Sequence, residues 1–158
     1  MASEIKVDTI VNAGGDNDTG IDLATNDQIL LKVANATKLT MNSTGQTTIV
    51  GEGGTTTTSV QQGLCKVWCN FNGDGTIATR DSFNVASLTD NGTGDTTINF
   101  TTNLGDTNYT IGVSSVTQSN NSGKSDNVTD TAVGSFRWIY FENGSATDAL
   151  YRAIVFGN

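Results

Sequence analysis

The stretch NFNGDGTIATRD, Asn70 to Asp81, comes nearest in residue type and spacing to a site that could do chemistry. Counted from Asn70, oxygen-bearing side chains stand at positions one, three and five (Asn70, Asn72, Asp74), with Gly75 at six and Asp81 at twelve. That is the outline of an EF-hand calcium loop. Such a loop needs a helix on each side to aim its ligands. Here Cys65, Val67, Cys69 and Phe71 alternate with Lys66, Trp68 and Asn70, the period of a strand, and SFNVASLT follows as a second strand pattern. Asn also replaces the usual first Asp, Asp replaces the bidentate Glu, and Arg80 adds a positive charge beside it. The stretch reads as a tight β connection.

Other combinations are weaker still. Asp16, Asp18 and Asp22 in DNDTGID could gather a cation, or simply make the local turns of a solvated loop. Cys65 and Cys69 share one face of a strand with Cα atoms about 13 Å apart, too far to bridge each other. Zinc would need two further ligands, and the chain has no His and no third Cys. Both read as free, buried, apolar residues. Without His there is no Ser–His or Cys–His pair, no spacing singles out a carboxylate pair, and no glycine-rich loop opens a helix. The expectation is a protein that is not an enzyme and uses no cofactor or metal.

The aromatic residues carry more information. Trp68 falls on the polar side of its strand, opposite Cys69 and Phe71. In SFRWIYFE, Phe136, Trp138 and Tyr140 face one way while Ile139 and Phe141 face the other. A strand apolar on both faces is either central in a domain or covered by a neighbouring subunit. Trp68, Trp138 and Tyr140 are therefore the candidate subunit or ligand contacts. A sugar ring stacked on Trp68 is the alternative to core or subunit packing there.

These residues need elements to position them, and composition says which kind. The 158 residues are rich in Thr, Asn, Gly and Ser, with 18 Gly and no Pro. Thr favours strands, Asn and Gly supply tight turns, and no window shows a 3.6-residue apolar period. The chain reads as all-β. Eight basic against sixteen acidic residues give a net charge of −8, which disfavours nucleic acid and anionic membrane surfaces as partners. No apolar run approaches the roughly 20 residues of a membrane span. MASEIKVDTI lacks the basic start and apolar core of a signal peptide, so synthesis in a cytoplasm is expected.

Residues 1–50 read as an N-terminal segment of short strands: SEIKVDTIV, then ILLKVA, TKLTM and TTIV, with NAGGDNDTG as a loop. So little apolar surface does not sustain a monomeric fold, and packing against copies of itself would solve that. GEGGTTTTS, residues 51–59, is a low-complexity joint. Residues 60–158 read as a β-sandwich, jelly-roll-like, of seven strands: LCKVWCNF, TIATR, SFNVASLT, TTINFTT, YTIGVSSVT, SFRWIYFE and LYRAIVF. SNNSGKSDN reads as a long exposed loop.

Lys66 to Ser115 resembles a module of tailed-phage virion proteins. The resemblance rests on Asn70 to Asn72, the RDSFNV run Arg80 to Val85, the DNGTGD turn Asp90 to Asp95, and the NFTT run Asn99 to Thr102. ALYRAIVFGN is similar to the ends of such chains, SEIKVDTI to the leading strand of phage fibre segments, and KLTMNSTGQTTI to their short strand–STG–strand repeats. The resemblance implies a trimeric virion structural protein bound to the major capsid protein or a tail component, on the virion surface after synthesis in the host cytoplasm. It carries no catalytic or ligand-binding residue across. A chain this short, with no shaft, fits a head fibre or capsid decoration protein, and the alternative is a short tail fibre recognising host surface polysaccharide.

Overall fold

A computed structural model of the chain describes residues 7–11, 19–24, 28–51, 54–116 and 123–157. The architecture is nearly all β, in antiparallel sheets, with one short helical turn. The chain divides into two compact units, Met1–Gly63 and Leu64–Asn158.

The first unit is a six-stranded meander in which each strand pairs with the next: β1 (Thr9–Val11), β2 (Gly20–Asp22), β3 (Ile29–Val33), β4 (Ala36–Met41), β5 (Thr47–Val50) and β6 (Thr57–Ser59). Its turns follow local chemistry. Ala34 and Asn35 both take positive φ, 50° and 55°, between the paired residues Val33 and Ala36, as a two-residue turn matched to strand twist requires. Between β4 and β5, the Asn42 side chain accepts hydrogen bonds from the Thr44 and Gln46 amides at 3.2 and 2.9 Å, and Gly45 takes φ 78°. Thr57–Ser59, read from the sequence as part of a joint, is hydrogen-bonded to β5 as an edge strand, and the turn α1 (Val60–Gly63) follows it. Of the expected leading strand, Ile5 and Lys6 lie outside the described residues, as do Asp16 and Asp18 of the loop.

The second unit has two antiparallel sheets. One runs in the order β11 (Thr110–Val116), β15 (Leu150–Phe156), β7 (Cys65–Asn72), β8 (Ala78–Phe83). The other runs β12 (Lys124–Ala132), β13 (Ser135–Glu142), β10 (Asp95–Phe100), β9 (Val85–Gly92), with the two-residue β14 (Ser145–Ala146) also on β13. Period two decides what is inside: Val67, Cys69 and Phe71 on β7, Tyr151, Ala153 and Val155 on β15, Ile98 and Phe100 on β10, and Phe136, Trp138 and Tyr140 on β13 form one core. The rings of Trp138 and Tyr151, one from each sheet, meet edge-on at 4.6 Å, and Phe71 reaches Trp138 at 6.2 Å.

Two expectations are corrected. SFNVASLT is not one strand: Phe83 ends β8, Asn84 turns at φ 58°, and Val85 opens β9 in the opposite sheet. Asn tolerates this left-handed conformation because its side chain bonds locally. The presumed loop SNNSGKSDN gives way from Lys124 to β12, paired along β13. An edge strand whose one apolar side chain against the core is Val128 carries no alternation to read.

Candidate interaction surfaces

The β7–β8 connection is a hairpin. Asn70 and Asp81, positions one and twelve of the calcium-like spelling, are partners across the ladder. Asn72 Nδ2 donates to the Asp74 carbonyl at 2.7 Å, and Gly75 takes φ 69°. The apparent ligand spacing is therefore strand register plus turn chemistry. In the first unit Asp22 is engaged by the Lys32 ammonium and accepts the Ala24 amide at 2.9 Å. The Lys32 hydrogen bond holds its carboxyl below the usual carboxylate range. Among the described residues, no three His, Cys, Asp or Glu side chains gather as a metal-holding group.

Of the three aromatic candidates, two are removed from any contact surface. Trp138 is 1 % exposed and Tyr140 0 %, both on the inner face of β13, because Ile139 and Phe141 take the outer side. Trp138 Nε1 donates to Asp126 Oδ1 at 3.1 Å. Burial pushes the Asp126 carboxyl up, against the opposing effect of that hydrogen bond. The Tyr140 hydroxyl finds no partner among the described residues. Cys69 is buried, and desolvation raises its thiol to about 11, whereas Cys65, set off by a register shift at the start of β7 and paired with Phe156, is only half-buried.

Trp68 behaves differently. It lies on the outer face of its sheet, and cross-strand register sets it in a row: Gly112, Ile154, Trp68, Phe83, on β11, β15, β7 and β8. Ile154 is 45 % exposed and Phe83 54 %. Phe156 and Val116, also exposed, share the face. The next row holds Ser114, Arg152, Asn70 and Asp81. The outer face of the other sheet is more polar, although Ile139 and Phe141 of β13 also lie on it. There Asn99 Nδ2 bonds Ser87 Oγ and Thr89 Oγ1 at 3.2 and 3.0 Å, Asn91 bonds Thr97 at 2.9 Å, and Arg137 makes a two-point ion pair with Asp95 at 2.8 and 2.5 Å. The polar side chains there pair with one another, whereas the Trp68 face exposes Ile154, Phe83, Phe156 and Val116.

Phe83 also lines an open pocket of about 640 Å³, together with Leu64, Leu104, Asn103 and Lys66 among others. Asn84 braces one wall. Its Oδ1 accepts the Thr102 amide at 2.7 Å, and its Nδ2 donates to the Lys66 and Thr102 carbonyls at 3.2 and 3.1 Å.

The first unit has its own apolar face. Register aligns Ile10, Ile21, Leu31, Leu39 and Ile49 straight across β1 to β5. Ile29 and Met41 flank that row. None of the described residues of this unit is buried. Sequence reasoning recognised the short strands but not this row, nor Phe83, Ile154 and Gly112 as neighbours of Trp68. Both rows exist only once strand register is known. The one available signal was LYRAIVF, whose alternate residues are apolar on both faces.

Comparison with protein-family models, curated proteins and solved structures gave no match.

Proposed function

We propose that this chain is a structural component of a tailed-phage virion, a non-enzymatic homotrimeric surface protein that decorates the capsid as a head fibre or decoration protein. The observation that carries the reading is the aliphatic row across β1–β5 in a sheet with no buried residue among those described. Five aligned aliphatic side chains left in water are unfavourable, and copies of the same sheet, or the surface to which it attaches, are what would cover them. The first unit then trimerises and attaches. The second, read as a jelly-roll-like β-sandwich because aromatic rings from its two sheets interlock, projects outwards. The resemblance of Lys66 to Ser115 to virion modules supports the same assignment. Attachment works by mass action: a trimer that binds only the assembled shell stabilises that shell.

A specific observation favours a second reading, a short tail fibre that grips host polysaccharide. Phe83 is an exposed aromatic ring beside a pocket walled by Asn and Thr side chains, the chemistry that stacks and hydrogen-bonds a sugar. The test is to add labelled protein to particles lacking it and image the product. Label distributed over the head is expected. Label confined to the tail tip, with saccharide binding by the isolated protein, would replace the first reading by the second.

A further inference from the structure

The pocket that Phe83 lines is held together by the backbone and by Asn84. At the corner where the chain passes from β8 to β9, Asn84 Nδ2 reaches the Lys66 carbonyl on β7 and the Thr102 carbonyl after β10, and Oδ1 takes the Thr102 amide. The Thr101 amide donates to the Asn84 carbonyl at 3.2 Å and the Leu104 amide to the Val133 carbonyl at 2.9 Å, which fixes this segment at both ends. A cleft of about 640 Å³ held in this way falls in the size range of preformed small-molecule sites.

Its lining has three parts. Phe83 and Leu64, 54 % and 57 % exposed, offer apolar surface. The Thr101 and Thr102 hydroxyls and the Asn103 amide offer hydrogen bonds, and among the described residues these three side chains have no partner. Lys66 is the one charged residue among the described lining residues, and no ion pair with a described residue engages its ammonium. In a chain with sixteen acidic against eight basic residues, that is a local reversal of charge.

We propose that the pocket holds an acidic sugar residue of the uronic acid type. The C–H face of the ring lies on Phe83, the hydroxyls bond the Thr101, Thr102 and Asn103 side chains, and the carboxylate pairs with Lys66. Other ligands leave part of the lining unused. A fatty acid has no hydroxyls for the threonines and Asn103, inorganic phosphate has no apolar face for Phe83, and a neutral hexose has no charge for Lys66. The inference rests on the saccharide reading of this pocket given above and adds the class of sugar. All the lining residues named belong to the second unit, so the site does not depend on where the first unit attaches.

Titration of the isotope-labelled full-length chain, followed by amide chemical shifts, tests it with two pairs of probes. One pair is the methyl glycosides of glucuronic acid and glucose, the other those of galacturonic acid and galactose. Within each pair the probes differ only in a carboxylate in place of a hydroxymethyl group. Amide shifts at Phe83, Thr102 and Asn103 should saturate with at least one acid, which should bind about three to five times more tightly than its neutral partner, the gain from one partly exposed ion pair. Lys66→Gln should abolish that preference while keeping the affinity for the neutral sugar, and added salt should erode it in the wild type. Phe83→Ala should weaken acid and neutral probes alike. Acid and neutral probes bound equally, or a preference that survives Lys66→Gln, overturns the acidic assignment and leaves the saccharide reading intact. No shift at the pocket with any of the four probes, up to their solubility limits, removes both.

Discussion

Replacing Asn84 by alanine is expected to destabilise the second unit by about 3 kcal/mol. The side chain makes three hydrogen bonds at the point where the chain leaves β8 for the opposite sheet, accepting from the Thr102 amide and donating to the Lys66 and Thr102 carbonyls. Partly solvated bonds of this kind contribute a little under about 1 kcal/mol each. Alanine at φ 58° adds about 1 kcal/mol of left-handed strain that Asn tolerates. In a unit of about a hundred residues this lowers the unfolding midpoint by on the order of 15 °C. Asn84→Gly separates the two causes: it loses the same hydrogen bonds but takes the backbone conformation freely, so its loss should be about 1 kcal/mol smaller. Urea unfolding followed by Trp138 fluorescence, with wild type, Asn84→Ala and Asn84→Gly measured together, gives the comparison. Both variants within about 0.5 kcal/mol of wild type, or Gly no better than Ala, would refute the reasoning.

Tyr140→Phe removes a buried hydroxyl that has no partner among the described residues, and should leave the unfolding free energy unchanged or raise it by up to about 1 kcal/mol in the same assay. Thiol labelling of native protein should modify Cys65 well before Cys69, whose thiol is both buried and pushed up to about 11, and unfolding should equalise the two. The two perturbed carboxylates of the second unit act oppositely with pH. Hydrogen bonding to Arg137 lowers Asp95, so its contribution is complete above the ordinary carboxylate range and is lost as pH falls through the lowered native value. Burial raises Asp126, so its ionised form costs stability at neutral pH, and that cost disappears as pH falls through the raised native value. Asp126→Asn keeps an acceptor for Trp138 and should equal or exceed wild type near pH 7, the gap closing towards about pH 4, whereas Asp95→Asn should be weaker near pH 7 and converge on wild type under acid. Urea midpoints across that range decide both.

The core of the second unit was legible in the sequence because strand alternation is a local signal. Val67, Cys69 and Phe71, or Phe136, Trp138 and Tyr140, need only a period of two to be put on one face. What alternation does not give is which face is covered by the chain itself. SFRWIYFE is apolar on both sides, so sequence left Trp138 and Tyr140 open to a partner, and only the opposing sheet takes them inside. β12 escaped notice because an edge strand whose one apolar side chain against the core is Val128 is as polar as a loop. The break at Asn84 escaped because one residue at positive φ interrupts neither hydropathy nor alternation. The apolar rows join residues as far apart in the chain as Ile10 and Ile49, or Trp68 and Ile154, and register, a property of the folded sheet, aligns them.

The mass of the full chain in solution tests the self-assembling reading most directly. Sedimentation equilibrium should give about three times the 16.5 kDa of one chain, with dissociation, if any, only on strong dilution. A Leu31→Asp variant, which sets a charge in the middle of the aliphatic row, should shift the population to single chains while the second unit stays folded. A wild-type mass of one chain maintained up to the highest attainable concentration would contradict it.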